Sequence, residues 1–252
     1  MSTTTENALA KVPEVTLGFW IIKIAATTLG ETGGDAVSMS MNLGYLVATA
    51  IFAAVFLVAV IAQVRANRFQ PLLYWTTIVA TTTVGTTLAD FADRSLSIGY
   101  AGGSSMLLVL LLLSLFVWYR SLGSVSVNTV NSPTAEVFYW VTIMFSQTLG
   151  TALGDWTADT AGLGYSGAAL IFGALLLTIA VAYYWTRISR TTLFWAAFIL
   201  TRPLGAVVGD FLDKPHAAGG LALSRYSASA VLLGFILTSL LFVRQRAAAT
   251  SH

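Results

Sequence analysis

The sequence predicts an all-α integral membrane protein: eight transmembrane helices from four parallel two-helix repeats, pseudo-symmetric about the membrane normal. Three observations predict it. The chain has 252 residues, of which 56% are hydrophobic and only 10% charged, with a mean hydropathy of +0.78; soluble domains carry about 25% charged residues. Runs such as "LVATAIFAAVFLVAVIA" and "MLLVLLLLSLFVW" are apolar on every face, whereas strands of a membrane barrel alternate apolar and polar residues. Finally, one motif recurs four times along the chain.

A helix needs about 20 residues to cross about 30 Å of hydrocarbon. Eight segments qualify: 17–37, 43–63, 73–92, 100–119, 138–158, 164–185, 193–212 and 226–244. They divide the chain into a tail (1–16), a first half with repeats one and two (17–125), a second half with repeats three and four (126–246) and a short tail (247–252). The start, "MSTTTENALAKVPEVT", has neither the basic beginning nor the apolar core of a cleaved signal. Lys11, Arg65, Arg68, Arg120, Arg187, Arg190, Arg244 and Arg246 fall on one side of this layout, and only Arg94, Lys214 and Arg225 on the other. The positive-inside rule then puts both termini in the cytoplasm.

The odd-numbered spans align without a gap: "FWIIKIAATTLGETGGD", "YWTTIVATTTVGTTLAD", "YWVTIMFSQTLGTALGD" and "FWAAFILTRPLGAVVGD". Each reads aromatic–Trp, nine residues, Gly, three residues, a small residue, Asp. The tryptophans are Trp20, Trp75, Trp140 and Trp195. The small pairs are Gly30/Gly34, Gly85/Ala89, Gly150/Gly154 and Gly205/Gly209, and the acids are Asp35, Asp90, Asp155 and Asp210. This pattern resembles a family of bacterial membrane proteins described as four tandem repeats of unknown function, each with two spans and a characteristic Trp. The resemblance covers about Val15 to Arg244 and implies an eight-span protein of the bacterial inner membrane. It brings no activity, so function has to come from the residues.

Two spans per repeat bring each repeat into the membrane in the same direction. The four motif Asp residues therefore share one depth, about 22 Å from the Trp level at 1.5 Å per residue. The tryptophans are expected as an interfacial aromatic belt at the cytoplasmic face. Small-xxx-small pairs let helices approach closely in lipid, which draws the acids toward one axis. A second acid accompanies each first: Glu31/Asp35, Asp90/Asp93, Asp155/Asp159 and Asp210/Asp213. A spacing of three or four puts both members on one helical face. Asp93, Asp159 and Asp213 could instead lie in external loops. Thr27, Thr28, Thr81, Thr82, Thr83, Ser146, Thr148 and Thr201 add hydroxyls to the odd spans, which are expected inside, with the even spans facing lipid.

Two cations fall within the odd spans. Lys23 either snorkels to the headgroups or serves, with Arg202, as a counter-charge to the intramembrane acids. Arg202 lies deeper, at the level of Thr27, Thr82 and Gln147, and is expected to pair with carboxylates of adjacent repeats, as a fixed bridge or as a counter-ion that a transported cation displaces.

Carboxylates at membrane depth mark ion pathways and proton relays, and oxygen-only ligands suit hard cations. The sequence therefore points to a transporter of Mn²⁺, Mg²⁺ or Ca²⁺, proton-coupled or not, with Asp35, Asp90, Asp155 and Asp210 as the metal-binding set and a bound divalent cation as its ligand. The chain has no Cys, and its two His residues, His216 and His252, lie outside the spans, which argues against soft-metal and zinc chemistry. A channel with a pseudo-fourfold Asp ring, a membrane scaffold and a small-molecule-binding protein are the alternatives. No nucleophile–base pair or phosphate loop points to an enzyme, and nothing suggests a nucleic-acid partner. The partners expected are the bilayer, a cation or proton, and, left open, further copies of the chain.

Overall fold

A computed structural model describes residues 10–96 and 98–248. Among these the regular secondary structure is all helix apart from one isolated backbone bridge, Pro13 to Ala247. Its long helices are α1 (Leu17–Asp35), α2 (Gly44–Arg65), α3 (Pro71–Asp90), α4 (Tyr100–Leu122), α5 (Pro133–Asp155), α6 (Gly164–Trp185), α7 (Arg190–Asp213) and α8 (Arg225–Phe242). Local chemistry sets their starts. Thr16 caps α1 by accepting from the Phe19 N–H at 3.2 Å, and Ser132 caps α5 through the Ala135 N–H at 3.3 Å. Pro71 and Pro133 occupy first-turn positions, where the missing N–H costs nothing.

The odd helices close an inner ring in which α1 packs on α3, α3 on α5, α5 on α7 and α7 back on α1. The even helices form an outer layer, and each packs on the odd helix of the next repeat: α2 on α3, α4 on α5, α6 on α7, and α8 on α1. The last helix thus completes the first repeat, with a Thr32–Ser229 hydroxyl pair at 2.8 Å across that contact. Five helices, α2, α4, α6, α7 and α8, are long and apolar enough to cross a membrane. The other three, α1, α3 and α5, carry the Thr, Gly and acidic residues, and those residues are buried inside the ring.

Glycine sets how closely the ring is drawn, and it does so in one register. A Cβ on Gly30 would meet Thr82, one on Gly85 would meet Gln147, one on Gly150 would meet Arg202, and one on Gly205 would meet Thr27. Each motif glycine therefore receives the side chain that stands three residues before the next repeat's glycine. One turn further, Gly34 receives Thr86, Gly154 receives Ala206 and Gly209 receives Glu31. Pro203 stays inside a continuous α7, and its ring seats against Gly150.

The tryptophans are placed differently from the sequence expectation. Trp75, Trp140 and Trp195 are buried and only Trp20 is half-buried. They pack with Phe19, Tyr74, Trp118, Tyr139 and Phe194 as an internal aromatic plug. The Tyr74 and Tyr139 hydroxyls meet at 2.6 Å, Trp75 donates to Gln245 Oε1 at 3.2 Å, and Trp195 donates to the Val125 carbonyl at 2.9 Å. The reason is their position: a Trp on the inward stripe of an interior helix faces other helices, not headgroups. The segments before α1 and after α8 close over the same end, with Ala10, Val12 and Ala248 buried and Lys11 paired to Glu136 at 2.7 Å.

Candidate functional site

The site lies along the ring axis, at the end away from the aromatic plug. Its lowest level is Lys23. The side chain is fully buried, with Nζ 3.4 Å from Thr201 Oγ1 and 4.1 Å from the centre of the Phe198 ring. It neither snorkels nor, among the described residues, stands within 4.0 Å of a carboxylate as a counter-charge would, because the inward face of α1 points it at α7.

Arg202 crosses the axis one level higher. Its Nη2 shares its two N–H groups among three acceptors, Glu31 Oε2 on α1 at 2.9 Å, Thr86 Oγ1 on α3 at 2.6 Å, and Thr151 Oγ1 on α5. One guanidinium nitrogen therefore ties α7 to the other three inner helices. Glu31, Thr86 and Thr151 stand at the same register position of their repeats, and Thr86 also donates to Glu31 at 3.2 Å. Burying the Arg202–Glu31 pair satisfies each charge with the other, which is the condition for placing either there.

Above this level stand the four motif acids, Asp35, Asp90, Asp155 and Asp210, all buried. Two cations hold them in pairs. Lys214 Nζ lies 2.6 Å from Asp35 Oδ2 and 2.9 Å from Asp210 Oδ1. Arg94 lies 2.8 Å from Asp90 Oδ1 and 3.4 Å from Asp155 Oδ2. Both cations stand four residues after the Asp of their own repeat and reach the Asp of a neighbouring one. Burial alone would push the Lys214 ammonium down, but Asp210, Asp35 and Asp213 together hold it well above the ordinary lysine value. Arg94 is likewise held up against burial by Asp90 and Asp155. Arg225, at the start of α8, pairs with Asp213 at 2.6 Å and reaches Asp35 at 3.7 Å.

The backbone changes at this level. In the first three repeats a π-helical turn follows the motif Asp at once: Ala36–Ser40, Phe91–Ser95 and Trp156–Thr160. In the fourth, α7 continues as α-helix to Asp213. Widened turns of this kind concentrate at functional sites. Here one of them carries Arg94 over the axis.

Six of the eight acids singled out in the sequence lie in this axial stack: Glu31, Asp35, Asp90, Asp155, Asp210 and Asp213. Two do not. Asp93 is half-buried against α4, where its Oδ1 would lie 2.6 Å from a Cβ on Gly103. Asp159 is exposed. It holds the register position of Arg94 and Lys214, and a further negative charge over Asp155 would be repelled. The three cations of the short connections, Arg94, Lys214 and Arg225, are what the sequence reading misses as site residues. Arg94 and Lys214 serve there only to orient the chain, although their spacing of four from Asp90 and Asp210 in alternate repeats is a visible signal.

The set able to hold a metal also differs from the symmetric four. Among the described residues, Asp35, Asp210 and Asp213 each offer a carboxylate oxygen within 4.8 Å of the others. Ligands of one Mg²⁺ or Ca²⁺ ion stand about 2.0–2.6 Å from it, so three oxygens this close can share an ion with little movement. Oδ1 of Asp35 and Oδ1 of Asp213 have no hydrogen-bond partner within the described chain.

Four two-helix repeats closed around a charged axis, with apolar helices outside, define an all-α membrane protein built by internal repetition. A family model described as Repeat of Unknown Function (DUF347) matches residues 18–69, 73–124, 138–189 and 193–247, and the chain belongs to that family. No curated protein and no solved structure matches it.

Proposed function

We propose that this protein carries a hard cation across the bacterial inner membrane, with all eight long helices crossing and both termini in the cytoplasm. One observation carries the reading. At the end of the axis five carboxylates, those of Asp35, Asp90, Asp155, Asp210 and Asp213, face only three cations, Lys214, Arg94 and Arg225. Such a layer attracts cations from the face on which it opens. Lys214 serves as the resident occupant of the Asp35–Asp210 pair until a divalent ion replaces it there, with Asp213 as third ligand. Oxygen ligands alone favour Mg²⁺, Ca²⁺ or Mn²⁺.

Arg202 supports a carrier over an open channel, because its bonds to three helices close the axis below the acids. Passage of an ion then requires that Arg202 release Glu31, so occupation of the acid layer and opening of the axis are linked. A second reading has its own support: each motif Asp already has a cation within 3.4 Å, as a static lock between helices would. Reconstituted liposomes separate the two. A carrier gives uptake of Mn²⁺ or Ca²⁺ that Asp35→Asn and Asp210→Asn each reduce at least tenfold while the protein stays folded. A lock gives no uptake in any variant and a lower melting temperature in both.

A further inference from the structure

The lower half of the axis has a surplus of donors that the cation reading does not use. Thr82, Gln147 and Arg202 occupy the same register position on α3, α5 and α7, and each is fully buried. Within the described chain, Nε and Nη1 of Arg202, both amide atoms of Gln147 and Oγ1 of Thr82 have no hydrogen-bond partner. Lys23, one turn nearer the aromatic plug, is fully buried as well and has no carboxylate within 4.0 Å among the described residues; Thr201 Oγ1 at 3.4 Å is its hydrogen-bond contact. In the state in which Lys23 carries its proton, it and Arg202 bring two positive charges against the single carboxylate of Glu31, which Arg202 already engages through Nη2.

Buried polar groups are almost always satisfied, and an uncompensated cation inside a membrane protein is more costly still. Water could meet single donors, but it does not neutralise a charge. The unpartnered groups are, with the exception of the Gln147 and Thr82 oxygens, pure donors; they come from α3, α5 and α7, and Lys23 on α1 adds an ammonium whose hydrogen-bond contact is Thr201 alone. We propose that this level binds a small inorganic anion of chloride size, held between the Lys23 ammonium and the Nε/Nη1 edge of Arg202, with the Gln147 amide and the Thr82 hydroxyl as further donors. The anion would fix Arg202 with one edge on the ligand and the other on Glu31. The site stands whether or not the acid layer transports a cation, since none of its donors belongs to that layer.

The test uses the full-length protein in detergent with bromide as the probe. Anomalous diffraction from crystals grown in bromide should show a peak within hydrogen-bonding distance of Lys23 Nζ and Arg202 Nη1. In solution, chloride or bromide in place of gluconate at equal ionic strength should raise the melting temperature by several degrees. Gln147→Leu, which keeps the side-chain volume and removes one donor, should weaken halide binding several-fold, and Lys23→Met should abolish the halide-dependent shift. Should Lys23→Met fail to fold, the bromide peak and the Gln147→Leu titration still decide. A map without bromide at this level, or equal melting in chloride and gluconate, overturns the proposal. A halide effect that persists unchanged in Lys23→Met overturns it too, by placing the ion elsewhere.

Discussion

Lys214 reaches over to Asp35 of the adjacent repeat, 2.6 Å from its carboxylate, while also lying 2.9 Å from Asp210 in its own repeat. Arg94 does the same between Asp90 and Asp155. The acids repeat four times but their cations only twice, so charge reduces a fourfold arrangement to a twofold one. A lysine is the more easily displaced of the two, since it bonds as a point charge where arginine offers a fixed fork of donors. The Lys214 pair also has Asp213 nearby, which makes that side the one where a metal can replace the cation.

Lys214→Met should therefore do two things. Without divalent cation, the facing Asp35 and Asp210 carboxylates lose their counter-charge, at a cost of about 3 kcal/mol. With Mn²⁺ or Ca²⁺ added, the variant should recover more melting temperature than the natural protein gains, because the metal no longer competes with a tethered amine. Equal metal-induced shifts in the two proteins would count against Lys214 as the resident occupant.

The pH dependence of that difference has a defined sign. The Lys214 value is raised in the folded protein above the ordinary 10.5, so its contribution to stability is complete below 10.5 and is lost only as pH climbs toward the raised value. The gap in melting temperature between the natural protein and Lys214→Met, measured without metal, should not narrow from about pH 7 to about pH 10, and it should widen as the carboxylates left unpaired in the variant ionise.

Arg202 and Glu31 test the lower level. Arg202→Met leaves Glu31 buried without its partner and should cost about 3–5 kcal/mol. Pairing it with Glu31→Gln should recover much of that loss, and the double-mutant cycle should show a coupling well above 1 kcal/mol, within the range for contacting residues. Additive losses in denaturant or thermal unfolding would mean that the two side chains do not act together.

Glycine substitutions should sort by layer. A Cβ at Gly85 would stand 2.9 Å from the Gln147 carbonyl carbon, and one at Gly205 would stand 2.9 Å from that of Thr27. Gly85→Ala and Gly205→Ala should each destabilise by about 1–3 kcal/mol through overpacking against backbone. At Gly173 on α6 and Gly234 on α8, an added methyl would have nothing within 4 Å. Alanine at either should be neutral or stabilising by up to about 1 kcal/mol, the helix-propensity gain. Melting temperatures of the four variants in one detergent check this.

Much of this arrangement is legible in the sequence, for physical reasons. A gap-free motif with Gly and Asp at fixed spacing requires equivalent helices at one depth, and the polar content of the odd spans requires that they face one another. Three things are not legible. The connections on both sides of α2 are short, so chain length does not decide that α2 packs on α3 and not on α1. A Trp near a helix start reads alike for a headgroup belt and for a core, and only the neighbours of α3, α5 and α7 settle Trp75, Trp140 and Trp195 as core. Loop cations read as topology markers until folding brings Arg94 and Lys214 over acids of other repeats. The axial role of Arg202 is the most readable of the site features, because a charge that deep needs a partner.

On the proposed mechanism a divalent cation takes the place of Lys214 between Asp35, Asp210 and Asp213. Diffraction at the manganese edge from crystals of the natural protein grown in saturating Mn²⁺ measures this directly. An anomalous peak is expected about 2.0–2.6 Å from oxygens of those three carboxylates, with the Lys214 ammonium withdrawn from Asp35. A Lys214–Asp35 bond still intact in saturating Mn²⁺, with no peak among the three carboxylates, would contradict it.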